Sequence, residues 1–222
     1  MKLLYVDIAR SMWVFNPQLL SAQGFSLQEV FKKLNERYNF AKPPKHPLDV
    51  DPKTSALTFL LGTFTNSAKK PLNVSLNIFN NGITAETTSS TNDATEFLED
   101  VTSLMTREFG FQLPSDLNKA YLSQLTVELD ASLSIVNPKL QVISKMLSAD
   151  AKALDGKARQ FEVGAVNFWS EDVGASLAPS ICRIERKWGV PFTSNQYFSI
   201  APLETKQHLK LIGELEKLLR ES

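Results

Sequence analysis

A single cysteine, Cys182, is all the thiol chemistry this chain carries, so an intrachain disulfide and a cysteine-rich zinc site are both excluded. A reducing, cytoplasmic setting is the simple expectation. Histidine, the usual general base near neutral pH, occurs only at His46 and His208. His46 lies among prolines, and His208 recurs at helical spacing with Leu211, Ile212 and Leu215, so both read as packed or surface rings. No His-x-x-x-His or Glu-x-x-His spacing supports a helical metal site. The glycines are scattered and form neither Gly-x-Gly-x-x-Gly nor a Walker pattern, and there is no Gly-x-Ser-x-Gly elbow. Neither a catalytic residue, a metal nor a cofactor is expected from these motifs.

Long apolar runs are missing too. The longest charge-free stretch, residues 11–28, is broken by Asn16, Pro17, Gln18, Ser21, Gln23 and Gly24, which is no membrane span. Asp7 and Arg10 interrupt the opening segment before a signal-peptide core can form. Surplus charge of one sign is absent: 24 basic residues balance 24 acidic ones. General attraction to nucleic acid or an anionic membrane is therefore not expected.

What the chain does contain is an ordinary globular composition and a pattern that occurs twice. At 222 residues, it can bury a substantial core. Lys2 to Ile8 alternates as a strand, and residues 12–24 form an aromatic-rich irregular stretch. Ser26 and Glu29 have the spacing of a capping box at the head of a helix, with Phe25 and Val30 placed to staple the entry. A proline-rich loop, residues 41–54, follows. Three strands are expected over 55–65, 72–79 and 83–88. The last two are joined at Asn81-Gly82 as a type I′ hairpin. A helix near Thr91 ends at Gly110.

The second half begins with a strand over 120–133. Asn137 and Pro138 then open a helix that carries Leu140, Ile143, Leu147, Ala151 and Leu154 on one stripe. Strands are expected over 159–169, 180–187 and 195–200, and a last helix over 205–219. Each half, residues 1–113 and 114–222, thus reads β-α-β-β-β-α. The expected fold is α+β: a mostly antiparallel sheet with helices on one face and an internal duplication. That arrangement is similar to the saddle of TATA-binding-protein-like folds or to a pair of ferredoxin-like units, an analogy that carries no function with it.

The candidate residues follow from composition. Cys182 sits in an apparent strand and reads as a buried, inert thiol. The hydroxyl-rich run before Thr91 reads as turn and cap, with a cation site at Asp93, Glu96 and Asp100 as the alternative. Trp13, Phe15, Trp169, Trp188 and Tyr197 are candidate partner anchors, because large aromatics dominate interface hot spots. Arg183, Arg186, Lys187 and Trp188 form a cationic and aromatic patch of the kind that tracks single-stranded nucleic acid. The leading expectation is a non-enzymatic interaction or assembly protein that binds a protein partner or itself. The alternatives are a small-ligand or nucleotide-binding module, and single-stranded nucleic-acid binding.

Overall fold

The computed structural model describes residues 1–15, 26–46, 49–51, 55–114, 117–171 and 181–221. Nine antiparallel strands form one sheet. They are β1 (Lys2–Val14), β2 (Val50–Asp51), β3 (Ala56–Thr65), β4 (Pro71–Phe79), β5 (Gly82–Thr87), β6 (Asn118–Glu128), β7 (Ala165–Trp169), β8 (Ile181–Arg186) and β9 (Gln196–Ala201). Four helices accompany them: α1 (Leu27–Tyr38), α2 (Thr91–Phe109), α3 (Leu140–Asp155) and α4 (Thr205–Glu221). The strand order is β2-β3-β4-β5-β1-β6-β9-β8-β7. Read outward from the central β1–β6 pair, the order is first, fourth, third and second strand on both sides, with the short β2 added at one edge. The duplication expected from the sequence is therefore present as topology.

The register makes the repeat quantitative. Thr91 and Thr205, which open α2 and α4, are 114 residues apart. The same step carries Ala9 to Ser123, and these two residues face each other across β1 and β6. It also carries Thr87, the partner of Ala9, to Ala201, the partner of Ser123. A pseudo-twofold axis thus runs between Ala9 and Ser123. The helix starts meet at the same axis. The Thr91 backbone N–H donates to Thr205 Oγ1 at 3.0 Å, and the Thr205 N–H donates to Thr91 Oγ1 at 2.9 Å. Each threonine thereby caps the other's helix, giving a partner to backbone groups that a helix terminus leaves unpaired.

Local rules explain most element ends. Ser26 and Glu29 make both arms of the capping box, at 3.2 and 3.1 Å. Ser90 caps α2 through the Asp93 N–H, and Gly110 ends it with φ +68. The expected staple residue Phe25 and most of the aromatic stretch, residues 16–24, lie outside the described residues. β1 continues through Met12 and Trp13 to Val14 because β5 and β6 pair with it on both sides. The expected strand over 120–133 ends instead at Glu128, and Leu133 falls in a short 3-10 turn. α3 begins at Leu140, with the Asn137 side chain accepting from the Lys139 N–H at 3.2 Å.

The hairpin between β4 and β5 departs from expectation. Phe79 pairs with Gly82, so Asn80 and Asn81 form the two-residue connection, and neither has the positive φ of a type I′ turn. Gly82 is needed for a different reason. A Cβ at this position would lie 2.1 Å from the Trp13 carbonyl oxygen, at a backbone φ of +155. Gly82→Ala is expected to destabilise the protein by about 3 kcal/mol through strain and displaced pairing. Urea unfolding would measure this, and a loss below about 1 kcal/mol would refute it.

α1, α2 and α4 pack on one face of the sheet. In the first half, the core includes Phe31, Leu34, Tyr38, Phe59, Leu76, Phe97 and Leu98. Phe31 stacks edge-on to Phe59 at 5.2 Å and Tyr38 to Phe97 at 5.0 Å, so α1 covers both β3 and α2. The second core, with Leu125, Val127, Ile184, Tyr197 and Ile212, lies between β6, β8, β9 and α4. α3 buries none of its own side chains, in contrast to the expectation that the helices share the packed face.

Candidate interaction surface

The expected anchors separate into two groups. Trp13 and Phe15 are buried in the first core, and Tyr197 is fully buried in the second. These three are corrected from surface anchors to core residues. Trp13 points to the helix side of β1, and the Tyr197 hydroxyl accepts from the Leu133 N–H at 3.0 Å. Trp169 and Trp188, in contrast, are 74% and 96% exposed.

The basic patch also divides. Strand alternation sends Arg183 to the open face, where it pairs with Glu185 at 3.2 Å, and sends Arg186 to the helix side. There the Arg186 guanidinium donates to the Phe192 carbonyl at 2.8 Å, to Ser132 Oγ at 2.9 Å and to Glu162 Oε2 at 2.7 Å. It also lies 4.5 Å from the Phe192 ring centroid and 5.4 Å from that of Tyr197. With three N–H donors bonded within the protein and the side chain nearly enclosed, this guanidinium is not presented to a phosphate in solvent. Lys187 lies over the Tyr5 ring at 5.2 Å. The four residues therefore do not form one nucleic-acid surface.

The Arg186 cluster has a second consequence. Ser132 precedes α3 and Glu162 follows it, so both connections of α3 are fastened at the Arg186 end of β8. Ser148 within α3 also accepts from the Phe161 N–H at 3.0 Å. Trp188 lies just beyond that same end of β8. Trp169 pairs with Ile181 at the opposite end, about 17 Å away for a six-residue strand. The structure thus fastens both connections of α3 at the end of β8 that Trp188 follows, and leaves Trp169 at the other end.

α3 presents Val142, Ile143, Met146 and Leu147 to solvent, each about half exposed or more. Val142, Ile143 and Met146 repeat the spacing of Val30, Phe31 and Leu34, the residues that α1 buries. The surface α1 covers also has a counterpart. The 114-residue step carries Phe97, fully buried, to Leu211, 37% exposed. Phe168, beside the half-buried Cys182 on the helix side of β7 and β8, is exposed as well. In the first half, Asp100 fixes α1 by accepting from Arg37 at 2.5 and 2.8 Å and from the Tyr38 hydroxyl at 2.7 Å. Burial works to raise the Asp100 pKa, but these hydrogen bonds outweigh it and hold the carboxyl below its ordinary value. Its counterpart, Glu214, pairs with Lys217 of its own helix at 2.7 Å.

The remaining chemistry is structural. Asp93 accepts from Ser89, Ser90 and Asn66, Glu96 bonds to Ser67, and Asp100 holds α1. The three acids therefore turn to different partners, and no acid, histidine and cysteine cluster suited to a metal occurs among the described residues. Burial raises the Cys182 thiol pKa, which disfavours the reactive thiolate. His208 is fully buried between two serines, with Nδ1 2.6 Å from Ser123 Oγ and Nε2 2.7 Å from Ser199 Oγ. The Ser199 hydroxyl donates to the Arg183 carbonyl at 3.0 Å, so it accepts from Nε2–H, and Nδ1 accepts from Ser123. This is a satisfied neutral ring without access to a substrate.

A cavity of about 190 Å³ between α1, α2 and the sheet is lined by Phe15, Val30, Phe31, Leu76 and Met105, with no charged group to hold a phosphate. Among the described residues, no helix is long and apolar enough to cross a membrane.

The expected α3 stripe shares Ile143 and Leu147 with this surface but not Val142 or Met146, and periodicity shows an amphipathic face without showing what lies against it. Sequence reasoning missed Leu211 and Phe168 as surface residues for the same reason. The signal that finds them is the repeat itself, once the register aligns the halves.

No family model matches the chain, and no curated protein matches it. Among solved structures, Methanococcus jannaschii TBP is similar, at a TM-score of 0.45 and 14% identity over 100% of this chain and 98% of that one. The likeness is one of chain path only.

Proposed function

We propose that this is a non-enzymatic, cytoplasmic interaction protein whose docking surface is the apolar face of α3 together with Trp188. The observation that carries the reading is that α3 buries none of its side chains while it exposes Val142, Ile143, Met146 and Leu147 along one side. Contiguous apolar surface of this kind, rimmed by lysines, is typical of a protein-binding site. Trp188 supplies a large aromatic just beyond the end of β8 where the connections of α3 are fastened.

A photo-crosslinking amino acid at Val142, in cells that make the protein, tests this reading. Covalent adducts with a protein, whether another chain or a second copy, are the expected result. The same label at Glu36, on the solvent side of α1, serves as the control. No adduct from Val142 above the Glu36 background would remove α3 as a docking surface.

A further inference from the structure

We infer that β7 pairs edge to edge, antiparallel, with β7 of a second copy of this chain, about a twofold axis at Asn167. β7 is the outermost strand of the sheet on the side of the second half. The Arg186 N–H donates to the Gly164 carbonyl at 2.7 Å, which sets the phase of the β7–β8 ladder. Val166 and Phe168 therefore turn their N–H and C=O groups to β8, and Ala165, Asn167 and Trp169 turn theirs outward. Those outward groups have no partner among the described residues, and all three residues are exposed. An edge of this kind is a template for another strand. The opposite edge is blunted: β2 has two residues, one of them Asp51, and Pro52 follows it in the sequence. β7 carries neither charge nor proline.

The order of residues in β7 selects its own copy as the strand that fits. With Asn167 opposite Asn167, the outward groups meet as Ala165 with Trp169, Asn167 with Asn167 and Trp169 with Ala165. A slip of two residues in either direction leaves one of the three outside the pairing. The side chains suit the same register. On the open face the large Trp169 lies opposite the small Ala165. On the helix side Phe168 lies opposite Val166, an aromatic and β-branched pair of the kind that stabilises neighbouring strands. At the axis the two Asn167 amides, each with a donor and an acceptor, complement one another. Glu171 falls opposite Val163, so no like charges face each other. Trp169, 74% exposed within one chain, gains the apolar contact it lacks there. A five-residue strand pair is about 17 Å long and gives a contact of the weak, reversible class. The surface is separate from the apolar face of α3 and does not depend on it.

Single cysteines in a Cys182→Ser background test the register. Asn167→Cys places two thiols across the axis with Cα atoms about 5.5 Å apart, within disulfide reach. Ala165→Cys places them four residues out of step, about 14 Å apart along the strands. Oxidation of Asn167→Cys is expected to give a covalent species of twice the 24.8 kDa chain mass, and oxidation of Ala165→Cys almost none. Equal cross-linking at both positions would indicate random collision and overturn the inference, as would none at Asn167→Cys. Sedimentation equilibrium of the unmodified protein is expected to show a monomer and dimer in exchange, and a monomer at about 1 mM would also overturn it. Asn167 is exposed, so Asn167→Lys and Asn167→Asp should keep the far-ultraviolet spectrum of the parent. Each alone is expected to weaken self-association about tenfold, because like charges meet at the axis, and an equimolar mixture is expected to restore it. No recovery on mixing would mean that Asn167 does not face its own copy. The Val142 label reports on α3 separately, so either surface can fail with the other intact.

Discussion

Lowering the pH from 7 to 4 is expected to remove about 3 kcal/mol of folding stability through His208 alone. Burial between β6, β9 and α4 pushes its pKa down to about 4, against about 6.5 in an unfolded chain. The sign follows from proton counting. Above pH 6.5 the ring is neutral in both states and contributes no slope. Between pH 6.5 and 4 the unfolded chain binds a proton that the folded one refuses, so stability falls as the pH falls. Below about pH 4 both states are protonated and the effect levels off. A difference of about 2.5 pKa units corresponds to about 3 kcal/mol.

The repeat supplies the control. The 114-residue step carries Ala9, Ala85 and Ala94 to Ser123, Ser199 and His208, and all six are fully buried. One half fills this position with three methyl groups, and the other with an imidazole bonded at both nitrogens. His208→Ala should therefore abolish the pH slope between 6.5 and 4.5, while lowering stability at pH 7 by about 3 kcal/mol through the cavity and two unpaired hydroxyls. Urea titrations of both proteins at pH 7.5 and 4.5 measure this. An unchanged slope in the variant would assign the pH dependence elsewhere. Asp93 and Asp100 are separable, because a lowered folded pKa makes their contribution fall away only as the pH drops from the ordinary carboxylate pKa, about 4, toward the lower folded value, beneath most of the His208 window.

Arg186→Ala is expected to destabilise the protein by about 3 kcal/mol, and Arg183→Ala by less than about 1 kcal/mol. The two arginines lie three residues apart on β8 but face opposite sides of the sheet. Arg183 pairs with Glu185 where both side chains are substantially exposed, and such pairs contribute little. Arg186 is nearly enclosed, and its removal leaves Glu162 without its cation and takes one donor each from Ser132 Oγ and the Phe192 carbonyl, which keep only their local donors from Ser134 and the Asn195 N–H. Hydrogen exchange should also show faster opening of residues 129–164 in Arg186→Ala, since both connections of α3 lose their fastening. Equal losses for the two variants would show that the Arg186 cluster is not a structural joint. Single-stranded oligonucleotide binding gives a further check. The committed guanidinium predicts no steep salt-dependent affinity that either variant removes.

The sequence by itself determined the elements and their repetition. The capping box at Ser26 and Glu29, the cap at Gly110, the alternation of β4 and the stripes of α2 and α4 depend on neighbours within one turn or one strand. Such interactions are local, and spacing reveals them. The repeated β-α-β-β-β-α order follows from those elements alone. Tertiary structure decided everything that depends on which face meets what. Trp13 and Phe15 look like surface aromatics in a charge-free stretch, but β1 is extended by pairing on both sides and carries Trp13 into the core. Arg183 and Arg186 look like one patch, but strand alternation separates them. Gly82 reads as a turn residue, yet it is held by the approach of the Trp13 carbonyl from a strand almost 70 residues earlier. The difference between α1 and α3 is the clearest case. Both are amphipathic with the same apolar spacing, and only the packed structure distinguishes a helix that covers its sheet from one that leaves its face open. Hydrophobic periodicity encodes a demand for burial, and the partner that meets it is set by contacts distant in sequence or in another molecule.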